Sequence, residues 1–305
     1  MNQFVIIPGT ERAGTTSIFN YLSKHPGICP SIVKETRFFL DEDYPLPRRF
    51  YFSEGIEKYL SLYPNRDSDS ILLDATPQYM YSANTAKKIR ESLSNVKFFF
   101  MLREPISRLV SRYHLSKSIG RIEKEMGFEA WINIQIDYHM RGIQADQHYL
   151  RALDHGMYSK YLEKYFSVFS HDDLRVCQFG ELLQNPRKII EDICQFIHLD
   201  PDLIDTSTLQ KKHNPSMTAR HSLFNKIYYG IKDAVRNTLP KGSATYHFLA
   251  SVYRSSRSVF NHIAMKEAVD ITIPNDLHKQ LYDIYSEEEE RIGNILGIRD
   301  FKWIS

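Results

Sequence analysis

A four-residue apolar run, Phe4-Val5-Ile6-Ile7, leads directly into Pro8-Gly9 and then Thr10-Glu11-Arg12-Ala13-Gly14-Thr15-Thr16-Ser17. The run reads as a buried strand closed by a turn. Ile18, Phe19 and Leu22 follow at helical spacing, and His25-Pro26-Gly27 ends that helix, with His25 as its end residue. A glycine-spaced loop between a buried strand and a helix is a strong constraint. It places the free N–H groups of the helix's first turn at the strand's C-terminal end, where they favour negative charge.

Gly9 and Gly14 have the G-x-x-x-x-G spacing of a nucleotide phosphate loop, yet Thr15 stands where nucleotide triphosphatases carry lysine. That lysine reaches the terminal phosphates. Here the nearest positive charge is Arg12, inside the loop, where its planar fork suits oxyanion oxygens. Gly14 permits close backbone approach, and Thr15, Thr16 and Ser17 add hydroxyl donors. The segment is predicted to cradle an anion.

Three more apolar runs repeat the rhythm: Ile71 to Leu73, Val96 to Leu102, and Leu174 to Phe179. The first of these is followed by Asp74-Ala75-Thr76-Pro77, and the second by Arg103-Glu104-Pro105 with a helix to about Ser116. An amphipathic segment over 159–170 and a helix over 186–197, with Pro186 in its first turn, flank the last run. Strands alternating with helices predict an α/β fold: a P-loop-like, three-layer arrangement with a central parallel sheet flanked by helices. Ligands of such sheets bind beyond the C-terminal strand ends, where the first loop, Asp74 and Arg103 all fall.

The 305 residues are read as one domain with a helical C-terminal extension from about Asp276, in which Glu287 to Arg291 forms a solvated charged face. Segments 40–66 and 118–155 break the rhythm. They are either packing insertions or acceptor-binding segments, whose Tyr and Trp131 could stack on a sugar or aromatic ring. Lys211 to Arg220 reads as an irregular loop. With 39 Lys plus Arg against 37 Asp plus Glu, a net charge of +2 argues against nucleic acid as a partner, while leaving room for a local basic patch. Cys29, Cys177 and Cys194 form no CxxC pattern, which predicts free thiols in a reducing compartment. Phe98 to Leu102 is too short to cross a bilayer and the opening residues show no leader. A cytoplasmic protein is expected, with no transmembrane segment and peripheral membrane contact left open.

A second basic cluster follows the third strand. Arg103-Glu104-Pro105-Ile106-Ser107-Arg108-Leu109-Val110-Ser111-Arg112-Tyr113 puts Arg108, Ser111 and Arg112 on one helix face, with Arg103 at the strand mouth. Arg103 and Ser111 are expected to clamp a second phosphate.

With both anchors in order, the chain resembles the sulfotransferases that use 3'-phosphoadenosine 5'-phosphosulfate, and is most similar to their carbohydrate, heparan-type branch. Arg12-Ala13-Gly14-Thr15-Thr16-Ser17 matches the loop that wraps the 5'-phosphosulfate in that family. Arg103, Pro105, Arg108, Ser111 and Tyr113 match the motif that binds the 3'-phosphate. Lys34-Glu35-Thr36-Arg37-Phe38-Phe39 is similar to the segment whose glutamate is the base in several glycan enzymes, and Asp74-Ala75-Thr76-Pro77-Gln78-Tyr79 to a second stretch. Gly156-Met157-Tyr158 with Leu162, and Phe179-Gly180-Glu181-Leu182-Leu183 with Pro186, follow the distal pattern. Arg12 replaces the frequent loop lysine, and Ala75 a substrate-side lysine, which loosens inference about the acceptor more than about the chemistry.

The resemblance implies transfer of a sulfuryl group to a hydroxyl or amine, with adenosine 3',5'-bisphosphate as product and no metal required. It implies Glu35 as general base, Arg12 as the charge stabilising the departing bridging oxygen, and Asp74 as an orienting carboxylate. His148 and His155 are fallback bases, and Lys211 and Arg220 are expected to close over the donor phosphate. A glycan, glycolipid or small-molecule hydroxyl is the expected acceptor. No spacing of His, Cys or carboxylates signals a metal site. Two other readings stay open: an ATP-dependent small-molecule kinase, for which Asp74 would imitate a magnesium ligand, and a non-catalytic nucleotide-binding protein in which Glu35 is dispensable.

Overall fold

In the computed structural model, residues 2–123, 125–204, 217–219, 265–267 and 271–304 are described. Phe4–Ile7 (β1), Ile28–Pro30 (β2), Ile71–Ala75 (β3), Val96–Leu102 (β4) and Leu174–Gln178 (β5) form one sheet in the order β2-β3-β1-β4-β5. Every pairing in it is parallel. Alternation along the strands splits the core between two faces. Phe4, Ile6, Leu72, Phe98, Phe100 and Leu102 pack on one side. Val5, Ile7, Leu73, Phe99 and Met101 pack on the other.

Thr15–Leu22 (α1) brings Ile18 and Leu22, and Pro186–Phe196 (α8) brings Ile189 and Ile193, to the second face. Ser159–Phe166 (α6) covers the first with Leu162 and Tyr165. The result is the expected central parallel sheet with helices on both sides. Strand β1 lies between β3 and β4, so the chain leaves it in opposite directions; such a switch point opens a crevice at the strand's C-terminal end.

Among the described residues the remaining α-helices are Ile56–Leu60 (α2), Thr85–Ser92 (α3), Pro105–Ser118 (α4), Phe128–Met140 (α5), Phe179–Gln184 (α7), Asn275–Tyr285 (α9) and Glu288–Leu296 (α10). Helix α4 starts sharply because Pro105 opens it and Glu104 caps it, accepting from Ile106 N at 2.8 Å and Ser107 N at 2.6 Å.

Several features differ from the sequence reading. Strand β2 was not predicted: three residues ending in proline give no periodic signal, and proline is tolerated because β2 is a sheet edge. Met217–Ala219 (β6) pairs antiparallel with Met265–Glu267 (β7), where an irregular loop was expected over the first of these. Lys211 and Arg220 lie outside the described residues.

The run Glu287 to Arg291 is not wholly a solvated face. Glu288 is buried and accepts from Ser159 N at 2.9 Å and Ser159 Oγ at 2.7 Å, satisfying free donors at the start of α6. Much of the aromatic content of the two long segments is also spent on packing. Trp131 is fully buried with Leu109, Tyr113 and Leu281, while Tyr59 and Tyr63 are fully buried behind the sheet. These three rings are therefore closed to an acceptor, contrary to the stacking role considered for them. Tyr51, by contrast, is exposed, with the Arg48 guanidinium 5.3 Å from its ring centre.

Candidate active site

The loop after β1 is fixed at its start by β4: Thr10 N donates to Met101 O at 2.6 Å and Met101 N to Gly9 O at 2.8 Å. It then passes through two left-handed residues, Arg12 (φ 69°) and Gly14 (φ 83°). For arginine this conformation is unfavourable and persists only where surroundings enforce it. Gly14 caps α1 without a side chain, leaving the first-turn N–H groups directed into the loop. A Cβ there would stand 2.7 Å from Leu182 Cδ2 and 3.0 Å from Phe179 Cδ2. Gly14→Ala is thus expected to weaken binding of adenosine 3',5'-bisphosphate by roughly tenfold or more from backbone strain alone. Calorimetric titration, with a thermal melt to monitor folding, checks this.

Arg12 reaches the second anchor: its Nε donates to Ser111 Oγ at 2.9 Å. Arg103 returns the link, donating from Nη1 to Arg12 O at 3.2 Å, while its guanidinium lies 4.8 Å from the centre of the Phe179 ring. The Arg103 carbonyl accepts from Tyr158 OH at 2.7 Å. Burial, with Arg103 and Arg112 close by, lowers the Arg12 pKa to about 10, and burial lowers that of Arg103. Crowded cations of this kind are relieved by a bound anion. The residues present therefore fit a doubly phosphorylated donor.

Arg108 and Arg112, expected to share a ligand-side face with Ser111, both turn inward. Arg108 is fully buried; it donates to Ala152 O and lies 5.9 Å from the Tyr158 ring centre. Arg112 binds Glu11 Oε2 at 3.2 Å and His148 Nδ1 at 2.9 Å.

A segment of the C-terminal tail buttresses the same corner. Gln178 Nε2 donates to Lys302 O at 2.8 Å and Ile304 N donates to Gln178 Oε1 at 2.7 Å. Gly180 must be glycine for this, since a Cβ would come within 2.1 Å of Ile304 O. Trp303 packs edge-on to Tyr158 at 5.7 Å.

Glu35 follows β2, and its N–H donates to Ala75 O at 3.2 Å, which places it at the C-terminal end of β3. Glu35 and Arg37 both adopt positive φ, 62° and 57°. The Glu35 carboxylate is about a third exposed and pairs with Lys34 Nζ at 3.3 Å and Arg37 Nη2 at 2.9 Å. Asp74, by contrast, is fully buried. It accepts from Thr36 Oγ1 at 2.7 Å, Thr76 Oγ1 at 2.8 Å, Tyr79 OH at 3.2 Å and Tyr59 OH at 3.3 Å. Burial pushes its carboxyl pKa up, against these four hydrogen bonds. Its contacts hold Thr36, and through it the strained Glu35 turn.

Sequence reasoning missed a buried polar cluster beneath the loop. Glu11 accepts from Gln78 Nε2 at 2.6 Å, and its Oε1 lies 3.8 Å from His148 Nε2. Burial alone would raise the Glu11 carboxyl, but Arg112, His148 and Gln78 bring it down to about 2. His155 stacks on Tyr81 with ring centres 3.8 Å apart, and Tyr81 OH meets Thr10 Oγ1 in the loop. Both fallback bases are thus buried, and burial holds His148 at about 3 and His155 well below the usual imidazole range. One signal was available: a carboxylate inside an anion loop demands a cation behind it.

Glu11, His148 and His155 also form a group of metal-ligand type, with ligand atoms within 4.8 Å of one another. Nothing in the sequence spacing signalled it. Arg112 supplies the positive charge there, hydrogen-bonded to the imidazole and ion-paired to the carboxylate. A second cation would meet that guanidinium at close range.

Among the described residues, no helix is long and apolar enough to cross a membrane. Comparison with known proteins gives a consistent picture. Membrane-associated sulfotransferase kil1 of Dictyostelium discoideum is 31% identical over 156 residues, which cover 49% of this chain and 31% of that protein. Heparan sulfate glucosamine 3-O-sulfotransferase 5 of Mus musculus is 22% identical over 231 residues, 75% of this chain and 63% of that one. The chain thus spans less than two thirds of either relative. A crystal structure of a sulfotransferase from Alicyclobacillus acidocaldarius superposes with a TM-score of 0.64 at 19% identity, covering 98% of this chain and 97% of the other, which establishes the likeness of fold. A family profile described as a sulfotransferase domain matches residues 2–248, well over half of the sequence. The chain belongs to the sulfotransferase domain family.

Proposed function

We propose that this protein transfers the sulfuryl group of 3'-phosphoadenosine 5'-phosphosulfate to a hydroxyl or amine of a carbohydrate or glycoconjugate acceptor. The observation that carries the reading is the Arg12 Nε to Ser111 Oγ bond of 2.9 Å, which joins the two anion-binding segments into one clamp. Bound there, the donor supplies an activated sulfur whose bond to the 5'-phosphate oxygen breaks as the acceptor oxygen attacks. The N–H groups of residues 13–17 and the Arg12 guanidinium stabilise the charge that collects on that phosphate oxygen. Arg103 and Ser111 hold the 3'-phosphate.

Glu35 takes the acceptor proton on its carboxylate. Its partial exposure and its position at the end of β3 suit that task, with Lys34 and Arg37 holding its carboxylate in place. Asp74 acts as a positioning residue through Thr36. The acceptor class is supported by the relatives named for heparan sulfate glucosamine and by the cationic Lys34 and Arg37 beside Glu35.

A panel of glycan, phenolic and lipid acceptors, incubated with the donor, tests the class. Two variants separate the roles. Arg103→Ala should raise the Kd for adenosine 3',5'-bisphosphate with smaller change in kcat, whereas Glu35→Gln should lower kcat by about 10²- to 10⁴-fold with that Kd unchanged. Full activity in Glu35→Gln removes Glu35 as base. Tight magnesium–ATP binding without bisphosphate binding overturns the whole reading.

A further inference from the structure

The cluster beneath the donor loop joins four parts of the chain that are remote in sequence. Glu11 belongs to the loop itself. Arg112 lies on α4, one residue beyond Ser111. His148 stands in the 118–155 segment, on a single turn of 3-10 helix, and Tyr44 stands in the 40–66 segment. All four side chains are buried.

The chemistry of the chain of bonds is fixed by Arg112. A guanidinium has only donors, so His148 Nδ1 must accept at 2.9 Å, and the imidazole proton resides on Nε2. That N–H is directed to Tyr44 OH at 3.2 Å, with Glu11 Oε1 behind it at 3.8 Å. The tyrosine ring also meets the imidazole at a steep angle, 5.7 Å between centres. A parallel link runs from Thr10 through Tyr81 to the stacked His155, whose ring centre is 5.0 Å from that of His148. Buried networks of this type have few alternative arrangements, because each broken bond leaves an unsatisfied polar group.

We infer that Glu11, Arg112, His148 and Tyr44 are positioning residues that couple occupancy of the donor loop to the order of the 40–66 and 118–155 segments. This rests on the loop being the donor site. An anion that draws Arg12 and the loop backbone toward itself fixes Glu11, and Glu11 fixes the Arg112–His148–Tyr44 chain. The donor thereby organises the two segments that the sequence sets aside as insertions.

Hydrogen–deuterium exchange of the full chain, with and without adenosine 3',5'-bisphosphate, tests this alongside calorimetry for the same ligand. In the parent, the ligand should slow exchange at residues 41–46 and 146–152 as well as at 9–17, by roughly 5- to 150-fold for a coupling of ordinary size. Glu11→Gln and Tyr44→Phe should keep ligand binding within about tenfold, yet lose the protection at 41–46 and 146–152. His148→Gln, whose amide can accept from Arg112 and donate to Tyr44, should retain that protection, and His148→Phe should not. Protection confined to 9–17 and 103–112 in the parent, or unchanged remote protection in Glu11→Gln and Tyr44→Phe, overturns the coupling while leaving the donor site intact. Absence of ligand binding in the parent overturns the donor reading and the coupling with it. Tyr44→Phe removes a single hydroxyl and keeps the ring, so the outcome does not hinge on a variant that fails to fold.

Discussion

Arg12→Ala should lower kcat/KM for sulfuryl transfer by about 10²- to 10³-fold, the cost of removing one preorganised donor from a developing oxyanion. Two effects combine. In the proposed reaction the guanidinium is the loop's own charge beside the phosphate oxygen that becomes anionic, and its Nε donates to Ser111 Oγ at 2.9 Å. Losing it therefore weakens both halves of the clamp. Arg12→Lys restores the charge without the planar Nε–H, so it should recover much of kcat while the Kd for adenosine 3',5'-bisphosphate stays raised. Single-turnover rates and calorimetry on both variants check this. A rate for Arg12→Ala within twofold of the parent would remove the guanidinium from the chemistry.

Acidification should destabilise the fold steeply, well above the range where carboxylates titrate. His148 and His155 are buried and neutral, with His148 held at about 3 by burial and by Arg112 and its neighbours, and His155 well below its ordinary value. An unfolded chain protonates histidine near 6.5. Between pH 6.5 and 3 the unfolded state therefore binds protons that the folded state refuses, so stability falls as pH falls. With both neutral in the fold, the two histidines together cost stability on the order of 3 kcal/mol between pH 6.5 and 5. Glu11, brought down to about 2, adds a further loss: its contribution is full above about pH 4.5 and disappears as pH falls toward 2. Urea midpoints at pH 7, 6 and 5 measure the slope. His155→Phe keeps a ring against Tyr81 and should cut that slope by about half; a slope that is flat between pH 6.5 and 5 contradicts the assignment.

The parts of the site that the sequence reveals are those whose geometry is local. A buried strand, a glycine-spaced turn and a helix start define the donor loop within Phe4 to Leu22, because free N–H groups at a helix start follow from the hydrogen-bond pattern alone. Arg103 and Ser111 are legible for the same reason, as a strand mouth and a helix face. What is hidden depends on long-range closure. Arg12 and Ser111 are 99 positions apart, and no periodicity predicts their bond. Arg108 and Arg112 look like surface cations until Ala152, Glu11 and His148 are brought to them. Asp74 is legible as a carboxylate at a strand end with Thr76 and Tyr79 close by in sequence, whereas Thr36 and Tyr59, the other two hydroxyls that surround it, come from separate segments. Strand β2 gives too short a signal, and its proline is acceptable only at an edge that the sequence does not announce.

The tail segment that grips Gln178 has a consequence for biosynthesis. Phe179 lies under Arg103 and beside Gly14, and the corner that holds it is completed by Lys302 and Ile304. A ribosome delivers the donor loop long before this brace, since the two stand at opposite ends of the sheet-forming sequence. Until residue 304 is made and docked, the emerging chain has the sheet's first strand and its phosphate loop but lacks the support for the arginine that faces it. Closing a contact over that length is slow, and a collapsed chain awaiting it is prone to misassociation. Donor present during translation, by binding the completed clamp, would draw nascent chains toward the finished state.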